Sequence, residues 1–201
     1  MEIRDLRQVR SVPAEFQTRE DGDNLSIEGY FAVFNSNYEI GPGMSESIAP
    51  GAFSETLSGD IRALINHDTT LVLGRTKAGT LTLKEDTRGL WGHIDINRND
   101  VDAMNLYERV KRGDVDQCSF GFDIRSEDTD ISENGDVHWT ITGVDLYEVS
   151  CCTFPAYSET NISARSEQRD EMKKRERDAW RAQMKERLHN GIKGIDDPQK
   201  D

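Results

Sequence analysis

Residues 114–124 read DVDQCSFGFDI. Polar and apolar positions alternate along this stretch, which predicts a strand rather than a helix. Cys118, Phe120, Phe122 and Ile124 then share one face, and Gln117, Ser119, Gly121 and Asp123 share the other, because successive side chains on a strand point to opposite sides. The apolar set belongs against a core, where Cys118 reads as a small buried hydrophobe. Ser119 faces away from that set, beside a glycine that cannot block approach, and is the neighbour better placed to react. A serine and a glycine on the outer face of a strand are ordinarily inert, so the reading needs partners.

The surrounding sequence continues in the same mode. LSIEGYFAVF (25–34) reads as a strand pair or as one strand bent at Gly29, and IRALINH (61–67) as a strand. GTLTLKED and LWGHIDIN flank the turn signal DTRG and predict a hairpin. DVDAMNLYERVKRG (100–113) predicts a helix with Asp100 as its cap, Gly113 as its stop, and an apolar face of Ala103, Met104, Tyr107 and Val110. APGAFSETLSG (49–59) predicts a second short helix, SEDTDISENGD (126–136) a turn-rich loop, and VHWTITGVDLYEVSCCTFPAY (137–157) one long or two short strands. The fold class expected is mainly β with peripheral α: a curved sheet or β-barrel surrounded by short helices, plus a charged C-terminal helix.

Charge divides the chain of 201 residues. Residues 1–165 carry 29 acidic against 15 basic side chains, and residues 166–201 carry 9 against 10. The first part therefore reads as an acidic globular domain unsuited to nucleic-acid phosphates. Residues 166–201 read as a separate charged helical tail, with Ser166 and Gly191 as its ends and KGIDDPQKD (193–201) as a disordered terminus. Met172, Trp180, Met184 and Leu188 fall at multiples of four and make a thin apolar stripe, which either packs on the domain or docks a partner. The apolar runs are too short to span a bilayer, and the N-terminus has no secretory signal. Three cysteines without a C-x-x-C pair indicate free thiols in a reducing cytoplasm.

Of the four histidines, His93 and His138 lie in strand-like runs and His189 in the tail, and all three read as ordinary surface residues. His67 ends a strand in Asn-His-Asp, where a base can be both held and exposed. No H-x-H or H-E-x-x-H spacing supports a metal there. Glu148 lies in the apolar run VDLYEVSCCTF and shares, by strict alternation, the face of Val144, Leu146, Ser150 and Cys152. A carboxylate in that setting needs a partner, and an imidazolium would serve, as would a structural arginine. Asp145, on the opposite face, is the weaker candidate.

Six segments, IEGYFAVFNS, ESIAPGAFSETL, IRALINHD, LGRTKAGTLTLKEDTRGLWGHIDI, RVKRGDVDQCSFGFDI and LYEVSCCTFPAYSETNISARS, occur in the order and approximate spacing of the tailed-phage prohead maturation proteases. Residues 10–165 resemble that family, which is similar in fold to the herpesvirus assemblins. The resemblance implies a serine endopeptidase that cleaves capsid precursor and scaffold proteins inside the assembling prohead in the host cytoplasm, with self-cleavage an open option. It implies His67, Ser119 and Glu148 as the catalytic set. It implies neither metal nor organic cofactor, the capsid precursor and scaffold as partners, no nucleic acid or membrane partner, and it leaves room for a homo-oligomer. For an oxyanion hole the sequence offers Arg75 and backbone amides near Ser119 as candidates, with a structural ion pair an equal reading of Arg75. Cys118 and the pair Cys151–Cys152 stand where the family usually has apolar residues. Two other classes remain open: a non-catalytic capsid-assembly module on the same scaffold, and a cysteine hydrolase built on Cys118.

Overall fold

The computed structural model describes residues 8–13, 15–154 and 159–193. The described residues between 8 and 154 hold eleven strands and one α-helix, the mainly β architecture expected, with one peripheral α-helix where several short ones were expected. One sheet runs in the order β1 (Gln8–Pro13), β10 (Gln117–Ile131), β11 (Val137–Cys152), β5 (Met44–Ile48), β4 (Tyr38–Gly41). Beyond β5's stretch, the same edge of β11 pairs in parallel with β6 (Arg62–Ile65), which carries β7 (Asp68–Arg75) on its far side. The second sheet runs β2 (Gln17–Asp21), β3 (Asn24–Val33), β9 (Gly89–Ile96), β8 (Leu81–Glu85).

One apolar core joins the two sheets. Leu25, Ile27, Phe31, Leu90 and Ile94 come from the second sheet, and Phe120, Phe122, Leu146, Val149 and Cys151 from the first. Cys118 lies in this core with no exposed surface, its thiol 3.1 Å from the Tyr30 carbonyl. Helix α1 (Val101–Arg112) closes one side with Ala103, Leu106, Tyr107 and Val110 buried. The Asp100 carboxylate accepts from the amides of Asp102 and Ala103, and Gly113 takes the left-handed conformation that ends the helix.

Three local expectations need correction. Residues 50–59 form successive turns, not a helix, because Pro50 and a left-handed Gly51 (φ 90°) break the start. The stretch read as a loop from residue 126 remains in β10 to Ile131, and the reversal occupies only Ser132–Asp136. Cross-strand pairing with β11 overrides the turn-forming composition there. β3 is one strand, and its irregularity falls between Tyr30 and Ala32 rather than at Gly29.

The chain divides into two compact units, residues 1–162 and 163–201. Helix α2 (Glu159–Lys193) begins before the expected Ser166, and Trp180 and Leu188 are exposed along it. Of the expected disordered terminus 193–201, Lys193 is the last residue of α2, and residues 194–201 lie outside the described residues.

Candidate active site

Ser119 sits near the start of β10, with Ser11 of β1 opposite on one side and Ser150 of β11 opposite on the other. Residues directly opposite in a ladder share a face, so Ser119 and Ser150 lie side by side. Two positions along, Gly121 stands opposite Glu148. The next pair is Phe122 with Leu146, which leaves Tyr147 as an extra residue on β11. This bulge changes the parity of the strand. Val144 and Leu146 point into the core before it, Val149 and Cys151 after it, and Glu148, Ser150 and Cys152 turn to the face of Ser119. Strict alternation, which put Glu148 on the face of Val144 and Leu146, is therefore wrong at this strand.

His67 reaches the same face from a tight reversal between β6 and β7. Ile65 pairs with Asp68, and the two residues between them, Asn66 and His67, both adopt positive φ (50° and 62°). That is a two-residue hairpin of the kind whose twist matches the flanking strands. It is fastened to β11 at several points. The Asn66 amide donates to the Cys151 carbonyl (3.0 Å), and the Asn66 side-chain carbonyl accepts from the Thr153 amide (2.9 Å). The His67 amide donates to the Ser150 hydroxyl (3.2 Å).

The side chains then converge. His67 Nδ1 lies 2.7 Å from Glu148 Oε1, and the Ser150 hydroxyl donates to the other carboxylate oxygen at 2.6 Å. His67 Nε2 lies 3.7 Å from Cys152 Sγ. Burial works against charge on the imidazole, but the hydrogen bonds to Cys152 and Glu148 and the Glu148 charge outweigh it, and the His67 pKa is pushed up to about 10. Ser119 has no exposed surface, and its hydroxyl donates to the Arg10 carbonyl of β1 at 2.8 Å. Among the described residues the arrangement joins His67 to Glu148 directly and sets Ser119 beside them on one sheet face, with its proton directed to Arg10.

A family model of caudovirus prohead serine proteases matches residues 13–175. The chain belongs to that family. It is similar to the prohead protease of Enterobacteria phage HK97, with 31% identity over 154 residues, which cover 75% of this chain and 64% of that protein's length. A solved structure, the bacteriophage T4 capsid assembly protease, aligns over 74% of this chain and 98% of its own with a TM-score of 0.49 and 10% identity.

The other candidates of this family member have different employment. Arg75 grips Asp60 through two hydrogen bonds (2.7 and 2.6 Å), which hold the Asp60 carboxyl down to about 2. On β7 it stands opposite Arg62 of β6, at the end of the hairpin away from His67. Asp145 meets Arg125 at 3.3 Å. His93 lies between Glu28 and Asp95, and His138 between Ser45 and Ser47. Asp68 accepts from the Thr70 amide and hydroxyl, and no cluster of three metal-ligating side chains occurs among the described residues. The sequence pattern alone assigns Ser150 no role. Its only signal there is the i, i+2 spacing from Glu148.

Proposed function

We propose that this chain is a serine endopeptidase that cleaves capsid precursor and scaffold proteins during phage head maturation, inside the assembling shell. Ser119 is the nucleophile, His67 the base and Glu148 the residue that orients the base. The observation carrying this reading is the 2.7 Å His67–Glu148 pair on the same sheet face as Ser119; membership of the prohead serine protease family supports it.

A serine hydroxyl is a weak nucleophile at neutral pH and needs an adjacent base. Here Glu148 receives Nδ1–H, which fixes the tautomer and leaves Nε2 to take the serine proton and return it to the leaving amine. Ser150 holds both ends of the pair, donating to Glu148 and accepting from the His67 amide. A carboxylate fixed in this way stabilises the imidazolium formed as the hydroxyl attacks. Co-expression with the cognate capsid precursor tests the reading: the wild-type chain processes it and Ser119→Ala does not. Equal processing by both overturns it, and no processing by the wild type favours an assembly module.

One observation favours a second reading. The base's free nitrogen faces a sulfur, Cys152 Sγ at 3.7 Å, so a cysteine hydrolase would be built on Cys152 rather than on the core residue Cys118. The same co-expression with Cys152→Val separates the two, because only the thiol enzyme loses activity.

A further inference from the structure

β10 has two neighbours in its sheet, β11 on one edge and β1 on the other, and β1 is the terminal strand. β1 runs antiparallel to β10 from the pair Gln8–Phe122 to the pair Pro13–Gln117, so its backbone passes directly along Ser119. An extended peptide added to a sheet edge uses this arrangement, with main-chain hydrogen bonds giving affinity and pockets for alternate side chains giving selectivity. The Arg10 carbonyl accepts the Ser119 proton, which a base would otherwise take. The match to the family model begins at residue 13, so all of β1 but its last residue lies ahead of the matched region.

The Arg10 side chain is anchored as a bound residue would be. It is 5% exposed and forms a forked ion pair with Glu46 of β5, itself 1% exposed, through Nε to Oε1 and a second nitrogen to Oε2 at 2.9 Å. Its guanidinium also lies 5.9 Å from the Tyr38 ring centre and 5.7 Å from that of Phe122. A planar cation with two parallel bonds to a carboxylate and aromatic faces beside it is the geometry that distinguishes arginine from other side chains. A cleft of about 260 Å³ continues past this pair, along Ser36, Asn37 and Gln117.

We propose that the edge of β10 beside Ser119 is the peptide-binding site, that β1 is a built-in occupant which keeps the enzyme latent, and that Glu46 selects a basic residue in the peptide that displaces it. The proposal rests on Ser119 as the nucleophile. Latency follows from competition: a site open for only a fraction of the time binds peptide more weakly by that fraction. Breaking the Arg10–Glu46 pair frees the edge without touching the catalytic residues.

The test uses the full chain and a serine-reactive phosphonate. Arg10→Glu sets two carboxylates against each other, and the phosphonate labels Ser119 roughly tenfold faster than in wild type. The exchanged pair Arg10→Glu with Glu46→Arg restores slow labelling. A synthetic QVRSVP peptide protects the Arg10→Glu chain from the label, and the same peptide with glutamate for arginine does not. In wild type, which needs no substitution to fold, excess QVRSVP raises amide hydrogen exchange at residues 8–12. Labelling of wild type as fast as Arg10→Glu, equal protection by the two peptides, or unchanged exchange at residues 8–12 overturns the proposal and leaves the nucleophile standing. Absence of Ser119 labelling from every folded chain overturns the nucleophile assignment, and this proposal with it.

Discussion

Glu148 stands directly opposite Gly121, and a Cβ on that glycine would lie 2.5 Å from the carboxylate oxygen that meets His67. The absence of a side chain at residue 121 is therefore what admits the carboxylate to the face of Ser119.

Gly121→Ala follows from this contact. The methyl group pushes Glu148 off His67, at a cost of about 1–3 kcal/mol in stability. A displacement of about 1 Å at a catalytic group can cost roughly a hundredfold in rate. Thermal melts together with peptide cleavage check it; a variant with wild-type kcat/KM would show that the carboxylate does not need this position.

Ser119→Ala abolishes processing and removes one hydrogen bond to the Arg10 carbonyl, a loss of about 1 kcal/mol in a denaturant titration. His67→Ala is as inactive, and the double variant is no worse than either single one, since residues acting as a unit do not lose activity additively. Additive losses in a gel assay of capsid precursor processing would separate the two residues.

The raised His67 pKa fixes a pH dependence. A base must be neutral to accept a proton, so the rising limb of kcat/KM lies above histidine's ordinary 6.5, toward the value of about 10. Glu148→Gln removes the charge, moves that limb back toward 6.5, and lowers kcat by up to roughly 10⁴ through loss of the correct tautomer. The stability consequence has the same origin. A folded-state pKa above the unfolded one contributes stability that is complete below about pH 6.5 and is lost as pH rises through about 10. Urea titrations of wild type and His67→Ala across that window measure it.

Cys118→Ala leaves a small cavity in the core and costs roughly 1–2 kcal/mol, with cleavage retained. Cys152→Val removes the sulfur beside His67 Nε2 and also retains cleavage if Ser119 is the nucleophile. Thiol alkylation of the wild-type chain, followed by peptide assay, gives an independent comparison.

The segment after residue 175 lies beyond the family match and carries the exposed Trp180 and Leu188. We propose that it targets the enzyme to the assembling shell. A chain ending at Arg175 keeps peptide cleavage and loses incorporation into proheads, as does Trp180→Ala to a smaller degree. Loss of peptide cleavage in the shortened chain would place the segment in the catalytic unit.

Much of this was legible locally. Alternation at 117–124 set Cys118 inward and Ser119 outward, and the cap and stop at Asp100 and Gly113 bounded α1, because these depend on residues close in sequence. The residue types at positions 67 and 148 marked a base and an acid in need of a partner. Whether they met was a tertiary matter. One extra residue, Tyr147, reverses the side-chain parity of β11 and delivers Glu148 to the face of Ser119, and a strict period of two cannot register an insertion that only cross-strand pairing reveals. The left-handed turn at Asn66–His67 and its ties to Cys151, Ser150 and Thr153 depend on β6 lying beside β11, 86 residues apart at the Glu148–Arg62 pair. The burial of Ser119 and the placement of the Arg10 carbonyl on its hydroxyl were likewise invisible, since an outward-facing strand residue is exposed only if nothing distant in the chain covers it.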